Sequence, residues 1–343
     1  MPKFAFLDDY SEGCHPQILK ALESTNAIQQ AAYGDDAYCI EARRLIAAQL
    51  QPATAAIHFV PTGTMANLLC IAACLKPYEA VISASSGHIA LREAGAVEAT
   101  GHKIITVPGT NGKLTPADVQ RVLDSNAHFP HMARPRMLYI SNATEYGTVY
   151  RRSELQALAS LCRQKDLLLM IDGARIGAAL SCSASDVSLA DIASFADIFW
   201  IGGTKAGAMF GEAIVIGNRK YEDDIGFHIK QRGAMLAKGR VLGVQFAELF
   251  RDGLFFDLAA HANAMATQLS AGIVGAGYSL AAETESNQVF PLLPDRLIEA
   301  LREQFDFHTW EGRDDGQSVI RLVTSWATDA GQVKRFIGHL KPN

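Results

Sequence analysis

The chain has 343 residues, 49% of them hydrophobic, which suits two domains or one large domain with an appendage and excludes a disordered polymer. A formal net charge of -5 gives no electrostatic reason to expect nucleic acid or an anionic membrane as partner. No apolar run reaches the roughly 18 residues that a membrane helix needs, and the opening MPKFAFLDDYSEG brings acids almost at once without a signal-peptide core.

The six cysteines, at 14, 39, 70, 74, 162 and 182, form no CxxC pair, and several sit in apolar helix-like text such as NLLCIAACL. Reduced thiols in a cytoplasmic protein are expected. Cys70 and Cys74 share a helix face, but no second pair of His or Cys completes a metal site, so no metal is expected.

In chain order, HPQILKALESTNA (15–27) and AYCIEARRLIAAQL (37–50) read as amphipathic helices. Strand and helix then alternate. AAIHFV (55–60) is a buried strand with His58 as a core histidine, and TGTMANLLCIAACL (62–75) is a loop turning into a helix. EAVISAS (79–85) is a strand, ALREAGAVEATG (90–101) a helix and KIITVP (103–108) a strand. TPADVQRVLDS (115–125) is a helix opened by Thr115 as cap and Pro116 just inside it. RMLYISNA (136–143), LLLMIDG (167–173), ADIFWIGG (196–203) and EAIVIG (212–217) are strands, with the helix RSELQALASLCRQK (152–165) after the first of them.

Continuous apolar strands interleaved with amphipathic helices predict an α/β fold, with a mainly parallel sheet covered by helices on both faces. Beyond about residue 240 the text turns to a long helical run (240–277), then to strand, helix, strand and helix in SNQVFPLL, DRLIEALREQF, SVIRLVTSW and DAGQVKRFIGHL. This divides the chain into a large domain over residues 1–250, including the N-terminal segment, and a small C-terminal α+β domain over 251–343.

The common nucleotide and hydrolase motifs are missing: there is no GxGxxG after the first strand, no Walker lysine, no HExxH and no GxSxG. In a parallel sheet, ligands sit beyond the carboxyl ends of the strands, and three strand ends carry unusual text. In FVPTGTMAN, Gly63 and Thr64 open a helix. Its free N–H groups can cap the helix alone or cradle an anion. In LLLMIDGARIG, Asp172 ends a very apolar strand, where an acid needs a cation: either Arg175 in a local pair, or a protonated ring nitrogen. In WIGGTKAGAMFG, Lys205 stands among glycines after a further strand, as a solvated turn cation or as a reactive amine. A phosphate cradle, an acid for a pyridinium and an amine for an aldehyde are together the needs of pyridoxal 5'-phosphate.

With EGCHPQIL, YGDD, VPTGTMAN, SSGHIALREAGA, VPGTNGKLTPADV, IDGARI, GGTKAG and IRLVTSWAT, nearly the whole chain resembles the threonine aldolase / β-eliminating lyase family of fold-type I pyridoxal phosphate enzymes. The resemblance implies that Lys205 is the Schiff-base lysine and that Asp172 pairs with the pyridine nitrogen. Gly63 and Thr64, with the Met65 amide, would hold the phosphate. His88 would stack on the ring and serve in proton transfer. Arg175 would lie near cofactor and substrate carboxylate, and Arg321 would grip that carboxylate from the small domain, where a guanidinium fork suits a planar anion. Tyr33 and Lys238 would reach a neighbouring subunit's site in a homodimer or homotetramer.

The implied reaction is cleavage of a β-hydroxy-α-amino acid (threonine, allo-threonine or phenylserine type) to glycine and an aldehyde. β-Elimination or transamination of a small amino acid is the alternative on the same lysine and aspartate. Two departures stand out. The N-T-H-N histidine of the family falls at Thr144 or Glu145 here, and the usual serine beside an aspartate near the N-terminus reads Asp8-Asp9.

Overall fold

The computed structural model of the protein describes residues 3–50, 55–313 and 315–340. Its centre is a seven-stranded sheet. In spatial order the strands are Ala56–Val60, Glu212–Ile216, Ile198–Gly202, Leu168–Asp172, Arg134–Ser141, Glu79–Ala84 and Lys103–Val107. The last five of these run parallel, while Glu212–Ile216 is antiparallel to both its neighbours.

Side chains alternate across these strands, which is why the text was apolar without a break. Leu138, Ile140, Leu169, Ile171, Phe199 and Ile201 enter the core on one face. Met137, Tyr139, Leu168, Met170, Ile198 and Trp200 enter a second core on the other.

Two stretches differ from expectation. The helix expected over 90–101 is reduced to His88–Leu91 and a short 3-10 turn, Glu98–Thr100. Ala94 (φ 50°) and Gly95 (φ 75°) take left-handed backbone between them, which no α-helix continues through. The long helical run is two helices, Arg240–Phe250 and Leu254–Gly275, broken where Asp252 (φ 55°) and Gly253 (φ 81°) turn left-handed. The capped helix at 116 forms as read, with reciprocal bonds between Thr115 and Asp118.

The C-terminal part folds around an antiparallel sheet built on Gln317–Val323, which pairs with Gln288–Val289, Pro291–Pro294 and His308–Gly312. Its core holds Leu269, Val289, Ile320 and Phe336. Phe6 belongs to this same core, and the strand Phe4–Ala5 pairs in parallel with Phe305–Asp306. The helix Leu254–Gly275 runs between the cores, with Phe255 and Leu258 in one and Met265 and Leu269 in the other.

Strand direction places the chemistry. Val60 and Gly202 end their strands opposite Glu212, which begins the antiparallel one, and Ser141 ends opposite Asp172. One edge of the sheet therefore collects residues from five strands.

Candidate active site

At that edge lies a cavity of about 350 Å³ whose walls include Gly63, Thr64, His88, Asp172, Arg175 and Lys205. These six come from four separate segments of the sequence. A second cavity, of about 670 Å³, adjoins it, shares His88, Arg175 and Lys205, and adds Arg321.

Lys205 sits on the 3-10 turn Thr204–Ala206, ended by Gly207 at φ 101°. Only glycine adopts that backbone without strain, so the turn can double back into the next strand. Burial, reinforced by the charge of Arg175, pulls the Lys205 amine below its ordinary pKa, while Asp9, Asp172 and Glu212 pull the other way. A buried amine with a lowered pKa is easier to have neutral and nucleophilic. Its Nζ stands 5.8 Å from the centre of the Tyr10 ring.

Asp172 is 3% exposed. Its Oδ1 accepts from the Ala174 N–H (3.0 Å), and its Oδ2 accepts from Tyr139 Oη (2.5 Å) and Asn67 Nδ2 (3.0 Å). All three donors are neutral, and no Lys, Arg or His of the described residues forms an ion pair with it. A local Asp172–Arg175 pair is therefore ruled out. Arg175 instead makes a two-pronged bond to Asp9, Nε to Oδ2 at 2.7 Å and Nη2 to Oδ1 at 3.0 Å. The Asp8-Asp9 departure thus has a structural role: Asp9 occupies the guanidinium fork of Arg175, with Asn287 Nδ2 donating to the same Oδ2 at 2.8 Å.

The helix Gly63–Cys74 begins at the same edge. Its Met65 N–H already donates to Thr62 Oγ1 (3.2 Å), so the cradle is left with the amides of Gly63 and Thr64, not that of Met65. A Cβ on Gly63 would come within 2.8 Å of Trp200 Cη2, so the helix start closes onto the cavity wall only as glycine.

His88 Nδ1 lies 2.8 Å from Glu93 Oε1, and its backbone N–H donates to Glu145 Oε1 (2.9 Å). Asn67 Nδ2 also donates to Glu93 Oε1 (2.8 Å), and Asn67 Oδ1 accepts from Trp200 Nε1 (2.9 Å). One amide thus links the acid behind His88 to Asp172. Glu145 further accepts from Ser141 Oγ (2.7 Å), and burial pushes its carboxyl up.

Arg321 is partly buried beneath the Trp310 ring, 5.4 Å from its centre. Its Nη2 donates to Leu7 O (3.3 Å), its Nε has no partner, and no carboxylate of the described residues pairs with it. Burial and the nearby Arg175 lower its pKa, the mark of a buried cation short of an anion.

Tyr33 and Lys238 line neither cavity of their own chain. Tyr33 is half exposed, and its N–H donates to Ala237 O (3.1 Å), which ties the two positions together.

Sequence reasoning passed over Glu212, Glu93, Asn67 and Tyr139. Glu212 opens an apolar run and Glu93 follows Arg92, so neither acid stood out in the text. The roles of Asn67 and Tyr139 depend on strand order, which a linear reading does not contain.

The residues fit pyridoxal 5'-phosphate. Asp172 is a fixed buried carboxylate that no cation of the described residues pairs with, Gly63 is closed against a cavity wall, and the partly buried amine of Lys205 completes the cavity. A mainly parallel sheet with this edge and a small antiparallel C-terminal domain is the architecture of fold-type I, aminotransferase-like enzymes. The chain belongs to the beta-eliminating lyase family, whose model matches residues 8–295.

Threonine aldolase from Leishmania major is 46% identical and superposes with a TM-score of 0.97 over 98% of both chains. Low specificity L-threonine aldolases of Pseudomonas sp. (strain NCIMB 10558) and Pseudomonas aeruginosa are 33% and 34% identical. They cover 97% and 96% of this chain, and 96% and 94% of their own lengths. An aspartate aminotransferase of Thermus thermophilus shares the fold at 17% identity, with a TM-score of 0.74 over 98% of this chain and 90% of its own.

Proposed function

We propose that the protein is a pyridoxal phosphate-dependent aldolase that cleaves β-hydroxy-α-amino acids of the L-threonine type to glycine and an aldehyde. The observation that carries this reading is the meeting of Lys205, Asp172, His88 and the Gly63–Thr64 helix start in one cavity, beside a partly buried guanidinium, Arg321, that pairs with no carboxylate of the described residues. The threonine aldolases to which the chain is similar over nearly its full length support the choice of reaction.

The cofactor, when bound, supplies an aldehyde for the lysine and a ring that takes up the electron pair of the breaking bond. Everything else falls to the chain. Lys205 is assigned as the amine that holds the aldehyde, its lowered pKa making the neutral form accessible. Asp172 is assigned to hold the ring nitrogen's proton, and its three neutral donors fix the direction of the carboxylate. The amides of Gly63 and Thr64 hold the phosphate at a helix N-terminus. Arg321 takes the substrate carboxylate in its planar fork.

Arg175 serves the same anionic region, and Asp9 holds it in place. His88 lies on the cavity wall, oriented by Glu93, and is assigned to ring contact and proton transfer at the substrate hydroxyl. Glu145 takes the place of the family histidine beside it. Tyr33 and Lys238 are assigned to the site of a neighbouring subunit in a homodimer or homotetramer. The division into residues 1–250 and 251–343 is kept in this reading, except that the N-terminal strand Phe4–Ala5 and Phe6 pack with the second part, with the cofactor in the first part and Arg321 in the second. A cytoplasmic location is supported by six free cysteines and by the absence, among the described residues, of a helix long and apolar enough to cross a membrane.

The test is incubation of the purified protein and cofactor with L-threonine, L-allo-threonine and phenylserine. Glycine and the matching aldehyde are expected. No aldehyde from any of them would overturn the assignment. Pyruvate and ammonia from serine would instead indicate elimination, and dependence on a keto acid would indicate transamination.

A further inference from the structure

Glu212 is 4% exposed and lines the same cavity as Lys205. It opens the antiparallel strand, directly opposite Gly202, so its side chain meets the turn that follows that residue. Its Oε2 accepts from the Gly203 N–H (2.9 Å) and its Oε1 from Thr204 Oγ1 (2.8 Å), the two residues immediately before Lys205. Thr204 Oγ1 accepts in turn from the Gly211 N–H (3.1 Å), which closes a loop of bonds around the turn.

The charges around Lys205 are unevenly satisfied. Asp9 is committed to Arg175, and Glu93 faces His88. Asp172, on the reading above, is committed to the ring nitrogen. Glu212 receives only neutral donors among the described residues. Burying a carboxylate without a cation is costly, and the cation whose charge acts on Glu212 is Lys205, on the wall of the same cavity.

We propose that Glu212 is a positioning residue for Lys205: it clamps the turn that carries the lysine and supplies the counter-charge that the lysine nitrogen faces. This rests on the assignment of Lys205 as the amine that holds the cofactor. Burial pushes the Glu212 carboxyl up to about 7, and the hydrogen bonds and the charge of Lys205 hold it from rising further. The counter-charge is therefore at full strength on the alkaline side of neutrality. The other groups acting on Lys205 are Arg175, which opposes its charge, and Asp9 and Asp172, which favour it.

The experiment is a spectrophotometric pH titration of the cofactor band in the purified holoenzyme and in Glu212→Gln, with thermal unfolding of both. Gln keeps the shape and an acceptor but removes the charge. The midpoint at which the Lys205-linked nitrogen loses its proton is expected to fall by about one pH unit or more. Glu212→Asp, with its carboxylate drawn back by one methylene, is expected to lie between the two. An unchanged midpoint in Glu212→Gln, even with lowered thermal stability, leaves Glu212 purely structural and overturns the proposal. Should the Gln variant not fold, Glu212→Asp decides: a lowered midpoint supports the proposal and an unchanged one overturns it. Borohydride reduction and peptide mapping of the wild-type protein separate the two readings. Cofactor fixed to a lysine other than Lys205 refutes the assignment of the amine, whereas cofactor on Lys205 with an immobile midpoint refutes only the role of Glu212.

Discussion

Removing the carboxylate of Asp9 should cost the protein far more than a surface ion pair would. Asp9 is 1% exposed, accepts two bonds from Arg175 and a third from Asn287, and comes from the N-terminal segment that packs with the C-terminal core. In Asp9→Ala the guanidinium of Arg175 stays buried without an anion, a loss of about 3–5 kcal/mol. With an unfolding entropy of ~2.1 cal/mol/K per residue, the 343 residues give ~0.7 kcal/mol/K, so the melting temperature should drop by roughly 4–7 °C.

Calorimetry of wild type, Asp9→Ala, Arg175→Met and the double variant is the assay. The double variant should recover much of the loss, because no charge is left stranded. A pH dependence accompanies the pair. Burial works to raise the Asp9 carboxyl, but the charges of Arg175 and Lys205 and the bonds to it outweigh burial and hold it below its usual value. Its folded pKa thus lies under the unfolded value of about 3.9. The contribution is full above that value and is lost as pH falls through the folded one. A melting temperature for Asp9→Ala within about 1 °C of wild type would refute the whole argument.

Arg321→Ala should raise KM for the amino acid by about 10- to 150-fold, the worth of a charge-assisted bond, and Arg321→Lys should restore only part because the planar fork is gone; steady-state kinetics on L-threonine decide. Gly63→Ala should weaken cofactor retention, since the new methyl meets Trp200 Cη2 at 2.8 Å, and dialysis followed by the cofactor absorbance measures it. Glu212, with its folded carboxyl near 7 against an ordinary 4.5, binds its proton more tightly when folded. Its contribution to stability is present below 4.5 and is lost as pH rises through about 7. The difference in urea midpoints between wild type and Glu212→Gln should change across that interval and be flat outside it.

The cavity was legible in the sequence to the extent that it is made of strand ends. Asp172, Lys205 and the Gly63–Thr64 turn each follow an apolar run, and a parallel sheet brings such positions to one edge whatever the strand order. The pairing of charges was not legible. Arg175 stands three residues from Asp172, which left a local bond open, yet its partner lies 166 residues away. Glu212 read as the first letter of an apolar strand. Only the antiparallel return of that strand puts its start where its neighbours end. The short helix at His88 was overread because left-handed backbone at Ala94 is invisible to periodicity.

The parallel pairing of Phe4–Ala5 with Phe305–Asp306 has a consequence for biosynthesis. Phe6 leaves the ribosome well before the aromatic partners that bury it, Phe305 and Phe336, which are made roughly 300 residues later. At ~5–20 residues per second, the segment waits on the order of 15–60 s with its phenylalanines uncovered. During that interval it is a natural client for a chaperone. A bulky fusion placed ahead of Phe4 should hinder the last step of folding rather than the first.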